Sequence, residues 1–106
     1  MEMEALVLGR LTRSTVRTVD VQTTTTQLLA ADPSRISFVI FPPLTNRFTL
    51  FPRGPAVLDT GFSFYPAGHP FTFHLAWHGE VVTWNWNAII AVLHQDIVVV
   101  ETTLVI

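Results

Sequence analysis

Apolar and polar residues alternate with a period of two through most of this chain, and the alternation is strongest between Phe71 and Trp86. Phe71, Phe73, Leu75 and Trp77 occupy every second position, with Thr72, His74, Ala76 and His78 between them. Successive side chains of a strand point to opposite faces, so this spacing predicts a strand with four large apolar groups on one side. His78-Gly79-Glu80 predicts a tight turn, in which Gly79 is free to take positive φ. The return run sets Val82, Trp84 and Trp86 on one face and Val81, Thr83 and Asn85 on the other. The expectation is a hairpin of aromatic and β-branched residues.

Upstream the pattern starts weakly. Met1 to Arg13 reads as an N-terminal arm, with Ala5 to Leu8 either a short strand or a helical turn ended by Gly9. A single domain is expected over residues 14–106. Val19 and Val21 alternate with Thr18 and Asp20, and Thr23 to Thr26 suits an exposed strand or a turn–strand junction, with a low-complexity linker as the alternative. Asp32-Pro33-Ser34 predicts a turn, because Asp bonds its own backbone and Pro presets φ. Arg35 to Phe41 predicts a strand with Ile36, Phe38 and Ile40 inward. Val39 and Phe41 on its other face predict that it is central or covered on both sides. Pro42-Pro43 stops it, since neither residue can donate to a ladder.

Asn46 to Phe51 predicts the next strand, with Phe48 and Leu50 on one face. Pro52-Arg53-Gly54-Pro55 interrupts, and Ala56 to Asp59 and Gly61 to Tyr65 read as two short strands or one bent at Gly61. Pro66 to Pro70 is a loop. Asn87 to His94 is apolar enough for strand or helix, and Ile89, Ile90 and Val92 favour strand. Gln95-Asp96 predicts a turn before a final strand from Ile97 to Ile106. About eight short strands spaced by about ten residues, with Pro and Gly between them and no helical period, predict an all-β fold: an antiparallel β-sandwich or jelly roll.

Composition adds a reason to expect partners. The apolar share is 49% and the charged share 13% of 106 residues, the latter about half the usual value. A domain this small buries only about two-thirds of its unfolded surface, so contiguous apolar surface and a role in an assembly are expected. All six cations are arginines and none follows Arg53, whereas Asp59, Glu80, Asp96 and Glu101 do. With a net charge of −2 there is no basic stripe for a phosphate backbone, which argues against nucleic-acid binding. The absence of cysteine excludes disulfides and thiolate metal sites. The acidic start is unlike a signal peptide, and the runs Ala88 to Leu93 and Ile97 to Val100 are too short to cross a bilayer. A soluble chain made in a cytoplasm and not bound to membrane is expected.

Candidate chemistry is sparse. His74 and His78 share a face of the predicted strand but stand about 13 Å apart along it, too far for both to hold one metal at about 2 Å. His69 or His94, with Asp96 or Glu80, is needed to complete any such site. Ser14, Ser34, Ser37 and Ser63 lie outside a G-x-S-x-G elbow. Glu2 and Glu4 are the only close pair of acids. Gly54 and Gly68 border prolines and mark turns, not a phosphate cradle. No enzymatic activity and no cofactor are expected. Trp77 reads as core, while Trp84 and Trp86 on one face are candidates for exposure and for stacking on a sugar. Glu101, amid valines, either faces solvent or, if buried, needs a partner, for which Arg35 or Arg47 is expected.

Three segments together resemble small β-sandwich proteins of tailed bacteriophage particles. These are Leu28 to Ile40 with its Asp32-Pro33-Ser34-Arg35 turn, Gly61 to Pro70, and His78 to Val82 with Trp86 to Ile89 and Val98-Val99-Val100-Glu101. The resemblance implies a non-enzymatic virion component, foremost a decoration or cement protein on the capsid surface. Alternatives are a neck, tail or head-fibre-base protein, or a carbohydrate-binding module. The implied partners are the major capsid protein and further copies of the chain, with a trimer as one form. The residues expected at the interface are Leu6, Leu8, Arg10 and Arg13 of the arm, with Trp84 and Trp86.

Overall fold

Two long strands form the spine of the protein, because β-branched residues recur on both faces of each. The computed structural model describes residues 2–7, 10–43, 46–64 and 70–105. Among the described residues nine strands are present: β1 (Glu2–Val7), β2 (Arg10–Gln22), β3 (Thr26–Leu29), β4 (Arg35–Phe41), β5 (Phe48–Pro52), β6 (Phe62–Phe64), β7 (Phe71–His74), β8 (Trp86–Ile90) and β9 (His94–Leu104). A single helical turn, α1 (Leu75–His78), runs into a 3-10 turn at Gly79–Thr83. The spine is β2 against β9, paired without interruption from Thr12↔Leu104 to Gln22↔His94.

All pairings are antiparallel, and they are nested. β2 pairs β9, β3 pairs β8, β4 pairs β7 and β5 pairs β6. Cross-pairs β4–β9 and β5–β8 then close two sheets, ordered β1-β2-β9-β4-β7 and β3-β8-β5-β6. This is the arrangement made by one long hairpin folded over itself. Of the two expected forms the protein therefore adopts the jelly roll, with β1 added at one edge.

Between the sheets lies an aromatic core. Phe38 stacks on Phe73 at 4.9 Å, and both contact Trp86, at 5.4 and 4.8 Å. Trp86 is fully buried, and its indole Nε1 donates to the Val81 carbonyl at 3.1 Å, as a buried indole N–H requires. The inward residues of the alternation, Val21, Ile40, Phe48, Leu50, Ile97 and Val99, complete this core. The Asp32 turn forms as expected: its Oδ1 accepts from the Ser34 amide at 2.9 Å and hydroxyl at 2.6 Å.

Three expectations are corrected. The hairpin predicted over Phe71–Trp86 does not form, because β7 ends at His74 and the chain turns helical. Its partner β4 offers a ladder only from Ile40↔Phe71 to Ser37↔His74, and then bulges. The helical turn is held by His78 Nδ1, which accepts the His74 amide at 2.9 Å. Gly79 does take positive φ, at 71°. As a result Trp77, expected in the core, is 76% exposed.

The second correction is that bulge. The β4–β9 register shifts between Arg35 and Ser37, so Arg35 takes the inward position expected of Ile36, which is only half-buried. Third, the turn expected at Gln95-Asp96 falls at Ala91–Leu93, with Leu93 at φ 59°, because β9 must reach back to His94 to pair with all of β2. The stretch expected as an arm forms β1 and the start of β2, which runs unbroken from Arg10 and pairs with β1 as a hairpin.

Candidate interaction surface

The two sheets treat their outer faces differently. On the four-stranded sheet the chain covers itself with its own 53–60 loop. The Ala56 amide donates to Thr25 Oγ1 at 2.8 Å, Asn87 Nδ2 to the Gly54 carbonyl at 2.6 Å, and the Asp59 amide to Thr49 Oγ1 at 3.0 Å. Thr49 is thereby fully buried although it points away from the core, and its hydroxyl also reaches Ser63 Oγ at 3.1 Å. Gly61 makes this approach possible. At φ 124° a Cβ there would stand 2.7 Å from the Leu50 carbonyl oxygen.

On the five-stranded sheet the outward positions form rows set by the register. One row is Val16, Val100, Val39 and Thr72, and the next is Thr18, Val98 and Phe41. A third, Ser14, Thr102, Ser37 and His74, carries hydroxyls, of which Ser14 Oγ and Thr102 Oγ1 bond at 2.9 Å. Among the described residues nothing like the 53–60 loop covers the middle rows: Val16, Thr18, Phe41 and Thr72 are exposed, and Val39, Val98 and Val100 half-buried. These two middle rows contain no charged residue. Acids bound the field at one end, where Asp20 stands opposite Asp96 and accepts from Gln22 while pairing with His94 Nδ1 at 2.9 Å. The apolar surplus in the composition thus surfaces here, on a field of valines, threonines and Phe41.

The buried charge lies inside the sandwich. Arg35, 1% exposed, donates from Nε to Glu101 Oε2 at 2.8 Å. Its Nη1 bonds the Val82 and Trp84 carbonyls at 3.1 and 3.0 Å, and Nη2 bonds the Ala30 carbonyl. Glu101 also meets Arg17 at 3.1 Å. The expected Glu101–Arg35 pair is therefore present, and it ties β4, β9, the end of β3 and the 79–85 turn together. Arg47 instead pairs with Asp59, at 2.9 Å. Four Arg35 donor contacts go to distant parts of the chain, so this cluster holds the fold.

Other candidates are scattered. Among the described residues no three His, Asp or Glu side chains are placed to hold a metal. His78 is engaged with the His74 amide and His94 with Asp20, and His69 lies outside the described residues. Ser34 serves the Asp32 turn, and Ser14 and Ser63 bond threonines. Asp32 combines opposing influences: burial pushes its carboxyl up, but the Ser34 hydroxyl and amide and the Arg35 charge outweigh it. The net position is below the ordinary carboxylate value.

The residues expected at an interface are not gathered in one place. Leu8 lies outside the described residues. Leu6 is in β1, with Leu11 opposite it on β2, and Arg10 and Arg13 of β2 stand opposite Val7 and Glu4. Trp86 belongs to the core, so it is withdrawn from the surface. Trp84 is half-buried, with the Arg53 guanidinium 3.7 Å above its ring, and is not on the same strand face as Trp86. The indole that does face solvent is Trp77, with the His74 ring 5.2 Å away. Val16, Val98 and Val100 were missed as surface because the sequence shows only that both parities of these strands are apolar. No protein-family model, no curated protein and no solved structure matches the chain.

Proposed function

We propose that this protein is a non-enzymatic structural component of a bacteriophage particle, a decoration protein that binds the major capsid protein on the outside of the shell. The observation that carries the reading is the uncovered field of Val16, Val39, Phe41, Val98 and Val100 on the five-stranded sheet. Contiguous uncharged, apolar surface is costly to leave in water, and such patches mark protein–protein contacts. The resemblance of the Asp32–Ile40 and Val98–Glu101 segments to phage β-sandwich proteins supplies the class of partner. A neck, tail or fibre-base position uses the same face against a different virion protein.

The test is co-sedimentation of the purified protein with empty shells of the phage that encodes it. Val16→Glu and Phe41→Glu, which place charges in the field, are expected to abolish binding while leaving the thermal melt unchanged. Val57→Glu, on the opposite side of the sandwich, is expected to bind normally. Shell binding indifferent to the two field variants would sink the assignment of the face.

A second reading rests on Trp77. An indole this exposed on a one-turn helix beside His74 is suited to stacking on a pyranose ring. Quenching or blue shift of the Trp77 emission by a glycan, lost in Trp77→Ala, favours a carbohydrate-binding module over a shell protein.

A further inference from the structure

An unpaired strand at the edge of a sheet presents a row of free N–H and C=O groups, and monomeric proteins blunt it by shortness, a bulge, proline or lysine. Four strands stand at edges here: β1 and β7 in one sheet, β3 and β6 in the other. Three are blunted. β7 has four residues, begins after Pro70 and ends in α1. β3 also has four, and its ladder shifts register between Gln27 and Leu29. β6 has three. β1 differs from all of them: it has six residues, paired to β2 without a shift from Glu2↔Thr15 to Val7↔Arg10, no proline or lysine, and its two charges, Glu2 and Glu4, confined to its first half.

We propose that β1 is the seam of a homodimer, in which the β1 strands of two copies pair antiparallel about a two-fold axis at Ala5. The two five-stranded sheets then become one continuous sheet. A second copy fits this edge by its charge pattern. About Ala5, Met3 of one copy lies opposite Val7 of the other and Glu4 opposite Leu6, so within the paired stretch no acid faces an acid, which would repel. The same patch meets itself, as a two-fold contact requires. Pairing at the edge leaves the outer face of the sheet free, so the seam stands apart from the proposed shell contact.

The chain contains no cysteine, which makes a cross-linking test clean. Residues directly opposite across an antiparallel pair have Cα atoms about 4.5–5.5 Å apart, within disulfide reach. The full-length Ala5→Cys variant is expected to oxidise to a disulfide-linked dimer, whereas Thr72→Cys on the β7 edge stays monomeric on a non-reducing gel. Met3→Cys and Val7→Cys, mixed, are expected to cross-link to each other. Wild type is expected to sediment as a dimer, and Ala5→Lys, which sets two cations at the axis, to lose the dimer while keeping its circular dichroism. A wild-type monomer or trimer, or cross-linking of Thr72→Cys as complete as that of Ala5→Cys, overturns the seam. Loss of shell binding with cross-linking intact overturns the proposed function and leaves the seam standing.

Discussion

Replacing Arg35 by methionine keeps the length of the side chain and deletes its guanidinium. Four partners then lose their donor: Glu101 Oε2 and the carbonyls of Val82, Trp84 and Ala30. Breaking a buried ion pair from one side costs about 3–5 kcal/mol. Here the Glu101 share falls below that range, because Glu101 is 14% exposed and keeps Arg17 at 3.1 Å. The orphaned carbonyls work the other way, at roughly 1–3 kcal/mol for each that water cannot reach. A net loss of about 3–4 kcal/mol is a large part of the roughly 5–15 kcal/mol that holds a domain together. It corresponds to a fall in Tm of roughly 15–30 °C for a chain of this size.

Glu101→Gln is expected to cost less, about 2–3 kcal/mol, since Arg35 keeps its three carbonyls. The double variant is expected to fall short of the summed singles by more than about 1 kcal/mol, the signature of residues in one network. Urea unfolding followed by circular dichroism measures all three. An Arg35→Met variant within about 1 kcal/mol of wild type would refute the view that this cluster clips the two sheets together.

Three further outcomes are expected. Because the Asp32 carboxyl is held below its ordinary value, it stabilises the fold above about pH 4 and that contribution disappears as pH falls through the lowered value; Asp32→Asn should flatten the acid side of a Tm–pH profile between pH 7 and strongly acid solution. Trp86→Ala should cost about 3–5 kcal/mol by opening the aromatic core, whereas Trp77→Ala should leave stability unchanged and remove most of the acrylamide-quenchable fluorescence. Gly61→Ala should destabilise by more than about 2 kcal/mol, combining a left-handed φ with a clash against the Leu50 carbonyl. Gly79→Ala has open space around it and should cost only about 1 kcal/mol; differential scanning calorimetry separates the two glycines.

The all-β class, the inward parity of Val19, Val21, Phe38, Ile40, Phe48 and Leu50, and the Asp32 turn were all legible in the residue order. Each depends on local geometry: a period of two, a proline that fixes φ, a carboxylate that reaches its own backbone. The pairing of Glu101 with Arg35 was also within reach, because a buried carboxylate needs a cation. What became of the Phe71–Trp86 alternation was decided elsewhere in the chain. A strand persists only while a neighbour supplies a ladder, and the bulge at Ile36, far away in sequence, withdrew it after His74. The same bulge turned Arg35 inward and exposed Trp77. The open valine field and the edge position of β1 likewise depend on which strands become neighbours and which loop folds over which sheet. Periodicity assigns each residue to one side of its own strand; only the nested pairing of distant strands determines whether that side meets core, loop or water.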